Sequence, residues 1–552
     1  MKACLFKAAV IFLVLLFLLD TMVYSFPLQN REDQPPASRN NNQNSSQKDK
    51  TLYHPRTLRA IASETLLLGS STAQYWSNYN KFTVDWQFTW KTFGRKFFTA
   101  ESPRFDSNAF YFNWSHAWAG AGYYSMARIN GLNNRSSFLF SLTSAALWET
   151  VIEWREIISL NDLIFTSFGG PAIGEPLYQI SSYFSHKEGA LNYLASFVFN
   201  PFLYLNNLID YLTSKQKLDY NSAPLPAWHY FVFYLGLQQD LVTPSGSQAV
   251  AQSGLWNRWF TLGFDLATQT LDTEKSRNNN SGFYSDTLAS SFSLDLAFSQ
   301  SGLEEINGRT AAVLFGWNWF KNKSEKEGET AADGSYFLGY GVAFELFKKR
   351  AVSWYDSRNE VPPGEQVTMG NARLERPRPT QFTDKLAVIS PAGLVLALNR
   401  SRPGFDLRWT SGIYADFAMV NSLPYNRFTA LSDNSGVKTT LLNWGYYYAL
   451  GTTVSSNLEL SYGRWQLSGR LKWQSYRSIQ GLDRYQYTGL ITEDFKLGDT
   501  WFRWKFRLVY RLGTSPVELG LTAENIYRHG WLLTLTDHYS EYRYCYQIGL
   551  RL

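Results

Sequence analysis

Three carboxylates, Glu149, Glu153 and Glu156, recur at helical spacing in a stretch of the chain poor in charge, with a histidine, His116, upstream of them. Residues three and four apart share one face of a helix, and Leu147, Val151, Trp154 and Ile158 read as the opposite, apolar face. Acids beside an imidazole are the parts of general acid–base catalysis, so His116, Glu149 and Glu153 are the catalytic candidates, provided the fold brings them together. As metal ligands they lack the Glu-x-x-His or paired-histidine spacing, so no metal or cofactor is implied. The plainer expectation is a solvated or arginine-paired face with Arg128 and Arg135 as partners. Candidate binding residues are Arg128, Glu156, Asn161, Asp162 and Glu175, with Asn161-Asp162 expected to cap a turn. No GxSxG elbow and no Ser/His spacing marks a nucleophile, so an enzyme is the lesser expectation.

These residues belong to a chain of 552 residues in which 17% are aromatic and only 18% charged. A 45% hydrophobic content excludes a disordered or collagenous protein. Lys2 and Lys7 followed by the apolar run Ala8 to Leu19 predict an export signal over residues 1–25, cleaved near Ser25/Phe26. Its removal takes Cys4 and leaves Cys545, so the mature chain has no intrachain disulfide and needs another stabilising device. Residues 26–51 are almost free of large apolar side chains and read as a disordered linker. Residues 52–223 read as a helical module, in which Ala117, Ala121 and Ser125, four apart, predict close helix packing. Between Gly189 and Ile209, Asn200-Pro201 interrupts an uncharged run and divides it into two short surface helices. The net charge of +6 is spread without any Lys/Arg block and gives no case for nucleic-acid binding.

From residue 224 to 552 the pattern is alternation of period two. Tyr542, Tyr544, Tyr546, Ile548, Leu550 and Leu552 oppose Arg543, Cys545, Gln547, Gly549 and Arg551, and Phe502 to Leu512 on even numbers oppose Arg503, Lys505, Arg507 and Arg511. Alternate residues of a strand face opposite sides. Segments of about 10 to 13 residues with aromatic ends, in an exported chain, predict an antiparallel transmembrane β-barrel. Thirteen segment starts, near 228, 258, 290, 311, 336, 386, 404, 446, 464, 484, 500, 516 and 541, give about twelve strands once an even number is required. Ten to fourteen remain open, fourteen if Phe82 to Trp90 joins the wall. The final apolar-ended segment resembles the C-terminal strand by which barrel-assembly machinery recognises its clients. Outer-membrane lipids and that machinery are the expected partners.

If the apolar parity meets lipid, the other parity faces the lumen. Asp265, Asp295 and Glu345 then come from early strands, and Arg470, Lys472, Arg503, Lys505, Arg507 and Arg511 from late ones. Two outcomes are open: salt-bridge packing that fills the barrel, or a basic lumen that admits small anions.

The order Asn113, His116, Gly120, Tyr123-Tyr124, Ala127-Arg128, Gly131, Trp148-Glu149, Glu153, Asn161-Asp162, Gly169-Gly170, Gly174-Glu175 and Asn200-Pro201 resembles an exported bacterial family, domain of unknown function 3943. The resemblance covers roughly residues 100–210. It departs at His116-Ala117, where His-Pro is expected, and at Ile158-Ser159, where Pro-Ser is expected. It implies an envelope protein with a C-terminal barrel and brings no established reaction. The leading expectation is an outer-membrane barrel whose helical module sits inside or beneath it as a plug or periplasmic adaptor. The alternatives are an envelope enzyme acting on lipid or lipopolysaccharide and a small-anion or solute channel.

Overall fold

The computed structural model describes most of residues 56–551, leaving out 79–88, 207–227, 245–255, 270–280, 322–332, 350–367, 374–383 and some shorter stretches. The expected export signal and linker lie outside the described residues, as does most of Phe82 to Trp90. Trp90 itself begins a helix.

Twelve strands make the wall: β1 (Trp228–Pro244), β2 (Trp256–Gln269), β3 (Ala289–Ser299), β4 (Gly302–Lys321), β5 (Asp333–Lys349), β6 (Asp384–Arg402), β7 (Phe405–Val420), β8 (Tyr447–Tyr462), β9 (Trp465–Ser478), β10 (Leu497–Arg511), β11 (Val517–Leu532) and β12 (Leu535–Arg551). Each pairs antiparallel with its chain neighbours, and β12 returns to β1 from Val232↔Arg551 to Pro244↔Tyr539, which closes the barrel. Closure leaves no sheet edge to satisfy. The predicted start near 484 is instead a two-residue hairpin arm in the β9–β10 connection, paired with Gly489–Leu490.

The predicted parity holds in β10 and β12, while bulges switch the outward parity within β4 and β6. Tyr546 and Ile548 are 65% and 61% exposed, whereas Glu541 and Arg543 on the other parity are buried in the lumen. At the end where β12 begins, Phe428, Leu441 and Phe495 from the connections pack on the inward residues Val388, Val420, Tyr447, Tyr476, Trp501 and Ile526. An apolar layer therefore lines the β5–β11 side of this end of the barrel.

Helices occupy the chain before the barrel: α1 (Thr57–Asn78), α2 (Trp90–Phe98), α3 (Phe110–Ile129), α4 (Asn134–Leu147), α5 (Leu160–Gly169), α6 (Glu175–Ser185) and α7 (Ala190–Phe199). Wide π turns follow α4 (Trp148–Ile152) and join α5 to α6 (Gly170–Gly174). α3 and α5 cross where only glycine fits: a Cβ on Gly120 would lie 1.7 Å from the Thr166 carbonyl oxygen, and one on Gly169 would lie 2.4 Å from that of Ala117. Asn200-Pro201 ends α7, whose Leu191, Leu194 and Val198 stay exposed. No helix among the described residues is long and apolar enough to cross a membrane alone.

The placement of this module overturns the plug and adaptor expectation. On β5, Tyr336 is 43% exposed, but Val342, Phe344 and Leu346 of the same outward parity are buried with Phe105, Phe110, Phe165 and Ile173 of the module. On β7, Ile413 is 51% exposed and outward-facing Phe417 is buried against Phe105 and Phe165, at ring separations of 5.5 and 5.7 Å. On β1, Leu235 is bare while Phe231 is covered by Tyr183 and Phe184 of α6. The module thus lies along the outer wall from β8 round to β1. The reason is its own inward face, which is apolar and aromatic. A lumen lined by charge offers such a face nothing, whereas the outer wall lets both surfaces leave water together.

Candidate functional site

The lumenal candidates form pairs that reach across the barrel. Lys505 Nζ lies 3.3 Å from Asp295 Oδ2, and Arg507 lies 3.6 Å from Asp265 and 3.1 Å from Glu518. Lys472 is bonded to Glu345, and Arg503 to Glu524. Arg543 makes a fork on Glu305 at 2.7 and 2.8 Å, and Lys349 joins Glu541 at 2.5 Å. Arg528, fully buried at the same end of the barrel, bonds Asp384 and Asp499 and lies over the Trp501 ring. Arg470 and Arg511 bond the amide oxygens of Asn457 and Gln466. The lumenal bases are therefore paired, some with acids across the barrel, such as Lys505 with Asp295 and Lys472 with Glu345, and some with acids of an adjacent late strand, such as Arg503 with Glu524.

A second charged group is balanced in the same way inside the module. Arg128 makes a two-point contact with Glu175, at 2.8 and 3.0 Å, and Tyr124 and Gln179 donate to the same carboxylate at 2.8 and 2.7 Å. Burial alone would raise the Glu175 carboxyl, but the Arg128 charge holds it below the usual range. This corrects the expected pairing of Arg128 with Glu149 and its neighbours. Arg135 instead lies over the Phe315 ring of β4.

The remaining acids gather at one end of the module. Residues 104–105 run as a short bridge between the chain at 158–160 and the β9–β10 connection: Arg104 N donates to Ile158 O at 3.0 Å, and Phe105 N to Leu482 O at 2.9 Å. That bridge sets Asp106 against Arg484. Asn161 Oδ1 accepts from Asp106 N at 2.7 Å, and its amide donates to Asp162 Oδ1 at 2.8 Å. The cap of α5 is Ser159, whose Oγ accepts from Asp162 N, so Asn161 and Asp162 are free for this network. Ser159 N donates to Glu149 Oε2 at 3.0 Å. Asp106 and Asp162 are thus joined through Asn161, and the Asp106 charge acts on the Asp162 carboxyl.

Glu149, Glu153 and Glu156 do not share a helical face. The α-helix gives way to the π turn at Trp148, which turns Glu149 inward, and Lys96 takes the carbonyls of Glu149 and Glu153 at 2.7 and 2.8 Å, ending the helix there. Glu153 accepts from Trp148 Nε1 at 2.7 Å, and Glu156 from the Tyr75 hydroxyl. Among the described residues none of these three glutamates has a cation within ion-pair distance. Burial, then the neighbouring acids, pushes the Glu149 and Glu153 carboxyls well above their usual range. Burial also raises Glu156 and, with Asp106 beside it, Asp162. Burial lowers the Lys96 ammonium to about 8, although Glu149, Glu153 and Glu156 act the other way.

His116 joins this cluster through Asp162, and neither Glu149 nor Glu153 is its bonded partner. Its Nδ1 lies 3.3 Å from Asp162 Oδ1, 3.0 Å from Phe112 O and 3.2 Å from Asn113 O. What the arrangement can do is hold protons in shared carboxyls and present an oriented imidazole. No group of three His, Cys, Asp or Glu side chains among the described residues is placed to hold a metal ion. Asp106, Arg484 and Lys96 were missed by sequence reasoning. Lys96 alone carried a local sign, as a cation in the last turn of a helix.

The residues of this cluster fall largely within one family segment. Residues 102–202 match DUF3943, a domain of unknown function. Of the cluster, Asp106, His116, Glu149, Glu153, Glu156 and Asp162 lie inside the DUF3943 segment, while Lys96 and Arg484 reach it from outside. No curated protein matches the chain. Among solved structures the chain is similar to a FadL homologue of Pseudomonas aeruginosa (8% identity over 59% of this chain and 90% of that one, TM-score 0.22). It is also similar to the translocator domain of the autotransporter NalP from Neisseria meningitidis (12%, 58% and 88%, TM-score 0.20) and to a loop-deleted OmpT of Vibrio cholerae (8%, 59% and 99%, TM-score 0.19).

Proposed function

We propose that this protein is an outer-membrane barrel that does not conduct, and that it serves as a sealed scaffold holding the DUF3943 module against its lipid-facing wall. The observation that carries the reading is the burial of Val342, Phe344, Phe417 and Phe231 under the module, on the same strand parity that is bare elsewhere. The module's own outer surface supports it, since Tyr111, Phe112, Trp118, Leu139, Leu191 and Val198 are exposed there and continue the apolar surface of the bare strands. Export by the segment 1–25 with cleavage near Ser25/Phe26, and insertion by barrel-assembly machinery reading β12, complete the proposal. The apolar layer at Phe428 and Leu441, with the cross-barrel pairs, supports a closed lumen over an anion channel.

Planar-bilayer recording of the purified full-length protein tests the first half. The expected result is no unitary current, and a stable anion-selective conductance would overturn it. Single cysteines at Tyr111, Trp118 and Leu139 in a Cys545→Ser background test the second half. In nanodiscs they should resist a charged maleimide and accept a lipophilic one; rapid labelling by the charged reagent would remove the module from the bilayer.

A further inference from the structure

We infer that the outer side of His116 is a binding site for the primary ammonium headgroup of a bilayer lipid. This rests on the reading that the module's outer face meets lipid. Three oxygens surround Nδ1, from Phe112, Asn113 and Asp162, so Nδ1 carries the hydrogen and the neutral ring has its lone pair on Nε2. Nε2 has no protein partner among the described residues. The side chain is 19% exposed, at the edge of the outward stripe of α3 formed by Tyr111, Phe112, Ser115, Trp118 and Ala119. An oriented acceptor is thus turned toward the side from which lipid would come.

Depth and hydrogen-bond chemistry select the ligand. His116 lies six residues into α3, roughly 9 Å along the axis from Phe110. The start of α3 is tied to the rim of the wall just before β8 begins, Trp444 donating to Ser107 O and the Tyr446 hydroxyl to Asn108 O. The imidazole is therefore within reach of headgroup and glycerol atoms. Behind it stand Asp162, Asp106 and Glu149, while the nearby cations are engaged: Arg484 on Asp106, and Lys96 on the carbonyls of Glu149 and Glu153. An anionic phosphate would meet no available cation here and offers Nε2 no hydrogen. A quaternary ammonium offers Nε2 no hydrogen. A primary ammonium supplies both a donor and a positive charge, and its hydrogen bond to Nε2 needs no proton transfer.

The test is native mass spectrometry of the full-length protein released from nanodiscs containing equal phosphatidylethanolamine and phosphatidylcholine, with phosphatidylglycerol in a parallel set. Wild type should retain phosphatidylethanolamine over phosphatidylcholine by about tenfold to a hundredfold, the worth of one hydrogen bond to a charged donor. His116→Phe should abolish the preference, and His116→Gln, which keeps an acceptor oxygen, should restore part of it. Heat-modifiable migration on gels confirms that each variant is folded. Equal retention of the two lipids by wild type, or an unchanged preference in folded His116→Phe, overturns the inference, as does a preference for phosphatidylglycerol. Full competition by free ethanolamine would overturn the lipid as source. Cysteine labelling separates the two failures: protected cysteines with no headgroup preference sink only this site, whereas water-labelled cysteines sink both the site and the reading beneath it.

Discussion

The barrel lumen and the acid cluster of the DUF3943 module are both buried and both rich in carboxylates, yet they balance charge in opposite ways. In the lumen Asp295, Glu345, Glu305, Asp384 and Glu524 each meet a lysine or arginine, mostly from a strand on the far side. In the module Glu149, Glu153, Glu156 and Asp162 crowd together, with Arg484 committed to Asp106 and Lys96 to backbone carbonyls. A matched set of buried charges holds a shape, because removing one partner leaves the other unpaired. An unmatched set of acids must keep protons to stay folded, and groups poised in that way are the ones available for chemistry or recognition. The contrast separates the architecture of this molecule from the part free to do something else.

The sharpest way to break the comparison is to remove a lumenal cation. Arg528→Met leaves Asp384 and Asp499 buried without their guanidinium, so it should cost about 3–5 kcal/mol and reduce the heat-modifiable folded fraction, read by gel shift and by urea titration in detergent. A smaller effect is expected where the module meets itself. Gly120→Val places atoms into the Thr166 carbonyl and should cost about 3 kcal/mol. Limited proteolysis should then cut the module while the barrel stays resistant; a resistant module would show that the α3–α5 crossing tolerates widening.

The acid cluster predicts a pH dependence of definite sign. Glu149 and Glu153 have folded-state values raised above their ordinary 4.5, so the folded module binds their protons more tightly than the unfolded chain does. Their contribution is complete below about 4.5 and is lost as pH rises through the raised values. Protease resistance of the module should fall from pH 5 to pH 8, and Glu149→Gln with Glu153→Gln should flatten that profile; a rise with pH would reverse the account of the cluster. The smallest effect is expected from Glu153→Gln alone. A protonated carboxyl and an amide differ little here, so at pH 6 its unfolding midpoint should shift by less than about 1 kcal/mol. A loss as large as that of Arg528→Met would erase the distinction between the two regions.

Much of the wall was legible from alternation alone. The sets Tyr542 to Leu550 and Arg503 to Arg511 face the sides that their parity dictates, and twelve strands follow from counting such segments. The extra start near 484 was misread because Arg484-Tyr485 imitates a strand beginning but is held in a connection by the module. The module's surface was not legible. Val342 and Tyr336 share a parity and a chemistry, and nothing local tells whether lipid or a helix will cover them.

Local periodicity, then, determined the barrel, its inside and outside, and the crowding of small residues on α3, because strand and helix geometry act on neighbours a few residues apart. Tertiary structure decided which lumenal acid meets which base, that the module lies along the outer wall, and that His116 meets Asp162. Those pairings join residues tens to hundreds of positions apart. They exist only once the sheet has closed and the crossing of α3 and α5 has brought distant turns to one place.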